Sequence, residues 1–258
     1  MNYENRYVLF LDILGFKKII STTYDKDQDF PEEIEKLYNA LKTINRSNSS
    51  TTGSKKITQF SDSIVVSFSN IEQYEFAYLL DDISYMLFLL AFEGIVCRGA
   101  IAYGKFYHDD QYLFGPALVD AYETESKAAI YPRVIIDKSV VDIYNESAKK
   151  ISKKRTGFKK EFINSYLMED FDDKLFIDYF LNPLTFADSK EIYVNYLESL
   201  RDFISKEHSK ARTPDVKIKY GWMKQKFNYT ITKLQEKYEE LNFLPREVAR
   251  IKKLRPFK

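Results

Sequence analysis

RYVLFLDI, residues Arg6–Ile13, is the stretch on which the fold turns. Its apolar residues run almost unbroken up to an acid, Asp12, and Gly15 follows shortly after. Apolar residues at both parities are what a strand covered on both faces requires. The run therefore predicts a buried central strand with Asp12 at its exit. Downstream, Ile34, Leu37, Tyr38, Leu41 and Ile44 recur at helical spacing over Glu32–Ile44. Asn45–Ser54 reads as a polar loop. Lys56–Phe60 and Ser63–Phe68 alternate in hydrophobicity on either side of Ser61-Asp62, which predicts a hairpin whose turn presents Asp62. Tyr74–Phe92 is an apolar-periodic helix that Gly94 stops. Ile95–Phe106 reads as a strand, Gly115–Ile130 as a helix and Arg133–Asp137 as a short strand.

The first six elements follow the βαββαβ order of a ferredoxin-like core. The expected fold class is thus α/β (α+β), with that core over residues 1–148 and a mostly helical extension over 149–258. The boundary is set at the basic run Lys149–Lys160, read as a linker or exposed loop. The extension holds an apolar run, Leu175–Phe180, and two helical patterns near Ser189–Lys210 and Pro214–Leu241. Thr213-Pro214 supplies a cap and first-turn pair for the second.

Composition removes several classes of function. With 45% hydrophobic and 30% charged residues and a net charge of +1, the chain reads as an ordinary globular protein. No global field marks it for nucleic acid or a membrane surface. One cysteine, Cys97, excludes a disulfide framework and a cysteine-based zinc site. Two histidines, His108 and His208, exclude a histidine-rich metal cage. The apolar stretch Tyr85–Phe92 is too short to span a bilayer. The N-terminus lacks a basic-then-apolar leader, so a reducing, cytoplasmic setting is expected. His108, beside Asp109-Asp110, reads as a solvent-facing hairpin tip, and Asp170, Asp172 and Asp173 as an exposed turn. Trp222 reads as packing or a dimer contact.

Asp12 at a strand exit and Asp62 in a hairpin turn share a sheet edge if their strands are neighbours. Two carboxylates so placed are the minimal protein contribution to a pair of divalent cations about 4 Å apart. Such a pair activates a hydroxyl and neutralises charge on a phosphate. Gly15 would allow close backbone approach to that phosphate. The plainer alternative is that Asp12 caps the following helix and Asp62 merely forms a turn.

FLDILGF (Phe10–Phe16) resembles the first metal motif of class III nucleotide cyclases, and KITQFSDS (Lys56–Ser63) is similar to the second, with Ser61 in place of the usual glycine. RGAIAYG (Arg98–Gly104) resembles a later strand of that family, and FGPALVDAYETES (Phe114–Ser126) takes the place of its Trp-Gly-x-x-Val-Asn helix. Within the family, the pyrimidine cyclases of bacterial Pycsar anti-phage systems are the nearest in pattern. The resemblance covers about half the chain. It implies conversion of a nucleoside triphosphate to a 3′,5′-cyclic monophosphate and pyrophosphate by a homodimer with active sites at the subunit interface. It also implies two Mg²⁺ or Mn²⁺ ions per site on Asp12, Asp62 and the Ile13 carbonyl. Gly15, Phe16 and Lys17 would bind substrate, and the cyclic product would reach an effector protein.

Two departures from the family follow. The base-selecting positions fall at Thr58 and Tyr112, which reproduce neither purine pairing. A larger aromatic at Tyr112 would suit a pyrimidine, UTP or CTP; as an ordinary rim or core aromatic it would carry no such meaning. The positions of the family's transition-state Asn and Arg hold Val119 and Glu123, and loss of such donors lowers rate by orders of magnitude. Lys17, Lys56, Arg98, Lys127 and Arg133 are the substitutes available. Arg98 is the one assigned a catalytic role, with a structural ion pair as its alternative; Lys127 reads as an i,i+4 partner of Glu123. The rival readings are a non-catalytic nucleotide-binding or assembly module, and a palm-like nucleotidyltransferase on the same core.

Overall fold

The computed structural model describes residues 2–46, 54–69, 75–151, 165–185 and 187–258. Most of the polar loop Asn45–Ser54 and most of the basic run lie outside them. The chain divides into two compact units, Met1–Leu90 with Ile95–Asp178, and Ala91–Gly94 with Tyr179–Lys258.

The first unit is built on β1 (Glu4–Ile13), α1 (Phe16–Ile20), α2 (Pro31–Arg46), β2 (Lys56–Phe60), β3 (Ser63–Ser69), α3 (Glu75–Phe92) and β4 (Cys97–His108). It continues through β5 (Leu113–Phe114), α4 (Pro116–Ala128), β6 (Val134–Ile136), α5 (Lys138–Ile151), β7 (Leu167–Glu169) and β8 (Leu175–Ile177). The sheet runs β2-β3-β1-β4-β6-β8-β7, with β5 paired to β4. Its first four strands are antiparallel throughout, the ferredoxin-like arrangement that the element order predicts. β6 joins β4 in parallel, and β8 and β7 extend the sheet beyond it. The expected boundary after residue 148 falls inside α5, while the sheet carries the first unit on to Asp178.

β1 is central and both its faces are covered, which is why its sequence does not alternate. Tyr7, Leu9, Leu11 and Ile13 are buried on one face, where the Tyr7 ring meets Phe76 of α3 at 4.9 Å between centroids. On the other face Val8 packs with Val65, Phe106 and Ala117 of α4, and Tyr122 of α4 meets Phe10 edge-on at 5.3 Å. Gly115 lets α4 reach that face: its φ is +149°, and a Cβ there would lie 2.6 Å from the Lys105 carbonyl oxygen. Asp12, Val8 and Phe10 alternate onto this second face. The cross-strand register adds Arg98 of β4, Ser63 of β3 and Phe60 and Thr58 of β2 to it.

Two local expectations are corrected. His108 is the last residue of β4 and is only 4% exposed; the turn begins one residue later. Asp170 is buried rather than exposed, because it faces the fully buried Arg133.

The second unit holds a 3-10 turn (Asn182–Thr185) and helices α6 (Lys190–Lys210), α7 (Pro214–Lys237) and α8 (Pro245–Lys253). The Ser189 hydroxyl caps α6 by accepting from the Ile192 amide at 3.2 Å. Thr213 occupies the cap position of α7 but bonds Asp215 in place of a helix amide. Trp222 is buried edge-on to Phe180 at 5.9 Å, a packing role. Among the described residues no helix is long and apolar enough to cross a membrane.

Candidate nucleotide and metal site

The acids converge where β1 ends and the β2–β3 hairpin turns. Asp12 pairs in register with Ser63, and the next amide, Ile13 N–H, donates to the Asp62 carbonyl at 2.9 Å. The hairpin has a two-residue loop, Ser61-Asp62, with Ser61 at φ +56°. A positive φ at the first central position is the type II′ pattern that matches strand twist. Glycine is the usual residue there, so Ser61 holds the position against steric cost. The sharp turn projects Asp62, half-buried, with a carboxylate that meets no partner among the described residues.

Asp12 is tied differently. Its Oδ2 accepts from Arg98 Nε at 2.9 Å, and the same Nε stands 2.8 Å from Oε1 of Glu125. Glu125 is only 2% exposed and lies on the buried stripe of α4 in phase with Ala117 and Ala121. An acid on an apolar helical stripe is the sequence signal for such a buried partner. Arg98 thus bridges two carboxylates, the ion-pair alternative for this residue. It leaves Asp12 Oδ1 unengaged and keeps Arg98 charge beside the acids. Burial, with Asp12 adding to it, pushes the Cys97 thiol far above its ordinary range, so this cysteine is inert packing.

Gly15, at φ +72°, turns the chain out of β1 into the five-residue α1, and its surroundings are open. Phe16 is half-buried and Lys17 is exposed, with no side-chain partner among the described residues. Thr58 lies on the acids' face of β2, two residues before Phe60, itself 79% exposed. Its hydroxyl meets Nε2 of His108 at 2.9 Å. That contact ties the end of β4 to β2. Tyr112, near the hairpin tip, is 63% exposed and stands at a rim. Val119 is exposed, and Glu123 is engaged with Lys127 at 2.6 Å as an exposed i,i+4 pair. Of the other substitute cations, Lys56 donates to the His108 carbonyl, and Arg133 is sealed between Asp170 and Asp172. Arg133 therefore cannot serve a phosphate at this edge.

Hard, unpartnered oxygens at Asp62 and Asp12 Oδ1 fit Mg²⁺ or Mn²⁺. No group of three or more His, Cys, Asp or Glu forms a cage among the described residues. Ions bound through two carboxylates plus substrate phosphate suit that sparse donor set.

No family model matches the sequence, and no curated protein matches it. Among solved structures, the adenylyl cyclase CyaB from P. aeruginosa is similar at 15% identity and a TM-score of 0.41, over 68% of this chain and 92% of that one. The catalytic core of a rhodopsin-guanylyl cyclase with converted specificity, in complex with ATPalphaS, is similar at 17% identity and a TM-score of 0.36, over 69% and 96%.

Proposed function

We propose that this protein is a metal-dependent nucleotide cyclase. It converts a nucleoside triphosphate, with a pyrimidine (UTP or CTP) as the preferred base, to a 3′,5′-cyclic monophosphate and pyrophosphate. The observation that carries the reading is the convergence of Asp12 and Asp62 at one end of an antiparallel β2-β3-β1-β4 sheet, joined by the 2.9 Å bond from Ile13 to Asp62. In the reaction the ribose 3′-oxygen attacks the α-phosphorus, its proton leaves to solvent, and the bond to the β-phosphate oxygen breaks. Two Mg²⁺ or Mn²⁺ ions, when bound, would lower the hydroxyl's pKa and offset charge on the phosphate.

The chain's own groups divide the remaining work. Asp12, Asp62 and the Ile13 carbonyl would hold the ions. Glu125 keeps Arg98 in place when a cation takes Asp12, and Arg98 then faces the phosphates. Gly15, Phe16 and exposed Lys17 border the triphosphate, while Thr58 and Tyr112 border the base. A second copy of the chain completes the site. Phe60, Val119 and Tyr122 support that arrangement, since all three leave apolar surface exposed on the site's side. In an anti-phage setting of the Pycsar kind, the cyclic product would activate an effector protein.

Purified protein with Mn²⁺ and each of four radiolabelled NTPs should yield a cyclic monophosphate from one or two of them. Asp12→Ala and Asp62→Ala should each abolish it. No product from any NTP, or product undiminished in either variant, would sink the reading. A non-catalytic nucleotide-binding module is the second reading, favoured by exposed Val119 and by the Glu123–Lys127 pair where the family carries transition-state donors. It requires nucleotide binding without turnover in the same assay.

A further inference from the structure

The net charge of +1 hides an uneven split. Residues 1–178 hold 22 Lys and Arg against 28 Asp and Glu, net −6. Residues 179–258, which with Ala91–Gly94 make the second unit, hold 17 against 10, net +7. A local field of that sign suits a polyanion, although the whole-chain balance is near zero.

Part of the excess gathers in the groove between α6 and α7. Lys217 and Lys224 stand seven residues apart on α7, and Arg201 and His208 seven apart on α6. Each pair therefore shares one helix face, roughly 10 Å from end to end. Shared neighbours show that the two faces border one groove. The charges of Lys224 and Lys217 both reach His208 and, after burial, hold its imidazolium below its ordinary value. Arg201 and Lys224 both lie over the Phe257 ring, 5.1 and 5.3 Å from its centroid. Asn228, on the same face of α7, seats Phe257 by donating to its carbonyl at 2.9 Å and accepting from its amide at 2.7 Å. The segment after α8 thus occupies one end of the groove and brings exposed Arg255 and Lys258 to it.

These cations are not cancelled from within the unit. Arg246 and Arg250 are paired with Glu191 and Glu198, whereas Arg201, Lys217 and Lys224 meet no carboxylate among the described residues. Asp202 borders the adjoining cleft, where Arg201, Lys253 and Arg255 outnumber it. Beyond Phe257 the groove is open. Lys217 is exposed, and a Cβ on Gly221, which lies between the two lysines on their face, would meet nothing within 4 Å. Glycine inside a helix lowers its stability, and no packing within the protein asks for it here. A chain approaching closely from outside would. We infer that this groove binds the sugar-phosphate backbone of a single-stranded nucleic acid, with Arg201, Lys217 and Lys224 on its phosphates. Such a strand carries a charge at every residue and is slender enough to enter between two packed helices. A flat bilayer would touch Lys217 without reaching the groove's floor. The inference does not rest on the cyclase reading.

The test is fluorescence anisotropy of a labelled oligodeoxythymidylate of roughly 20 nucleotides with the full chain, from about 50 to about 200 mM NaCl. With roughly three or four phosphates neutralised, affinity should fall about 20- to 50-fold over that range. Lys217→Gln/Lys224→Gln should weaken binding about tenfold or more and flatten the salt slope by about 1.4. Lys206→Gln/Lys237→Gln removes the same charge from other faces of the same helices and should change affinity less than about threefold. Nuclear magnetic resonance titration of the two histidines gives a local readout: the His208 pKa should rise when phosphate settles beside it, and His108 should not respond. No binding at the lowest salt, a groove variant no weaker than its control, or an unmoved His208 would each overturn the inference. So would a duplex bound as tightly as the single strand, or capture by phosphatidylserine vesicles or polyglutamate with no affinity for the oligonucleotide.

Discussion

Acidification should weaken the first unit through His108, and the size of the effect follows from its surroundings. Folded, the ring is buried beside Arg6 and Lys56 and protonates only at about 4; its ordinary value is 6.5. Between those values the unfolded chain binds a proton that the folded chain does not, so stability falls as pH falls. Integrated from pH 7 to pH 5, the difference is about 2 kcal/mol, rising to about 3 kcal/mol by pH 4. Nearby Asp109 and the more exposed His208 are also shifted, both downward, so the measurement must isolate this one ring. His108→Asn does so, since it removes the titration and keeps every other group. Urea denaturation followed by far-ultraviolet circular dichroism at pH 7 and pH 5 gives the two slopes. The wild type should lose about 2 kcal/mol more than the variant over that interval, whatever the variant's own stability. Equal slopes would mean that the ring is as well hydrated in the folded protein as in the unfolded chain. That result would refute the burial of His108 beside Arg6 and Lys56.

Ser61→Gly should raise the urea midpoint, because relief of about 1–2 kcal/mol of left-handed strain outweighs the smaller entropy that glycine adds to the unfolded chain. A loss of stability would instead mean that the Ser61 side chain makes a contact worth more than that strain. Asp170→Ala should cost about 3 kcal/mol or more, since it leaves the fully buried Arg133 one carboxylate short. Asp172→Ala should cost less, because Asp172 is about one-third exposed; thermal melts of both variants would decide the order.

What the sequence makes legible is what local pattern determines. The two-sided burial of β1 follows from Val8, Leu9, Phe10 and Leu11 in succession, and the hairpin from alternation on either side of Ser61-Asp62. Once β1 and β3 are neighbours, Asp12 and Asp62 must meet, because a strand exit and a hairpin turn then share one sheet edge. The short elements β7 and α8 are not legible, since three residues of strand or nine of helix carry too few periods to stand out from a loop. The burial of His108 is illegible for a related reason. The Asp109-Asp110 pair signals a turn, but burial one residue earlier is decided by Arg6 and Ser67, which are far away in the chain. Charge pairing is non-local in the same way. Lys56, Arg98, Lys127 and Arg133 are equivalent candidates on paper, yet each is held by a carbonyl or a carboxylate in the fold. Lys17 alone of the five has no partner among the described residues, and it stands just past Asp12. A cation left unneutralised by its own protein keeps its full attraction for a substrate phosphate, whereas Arg98 has to give up Asp12 before it can turn to one. Partnerlessness beside the acids is therefore the property that separates a phosphate-binding lysine from a structural one, and it is a property of the fold, not of any window of sequence.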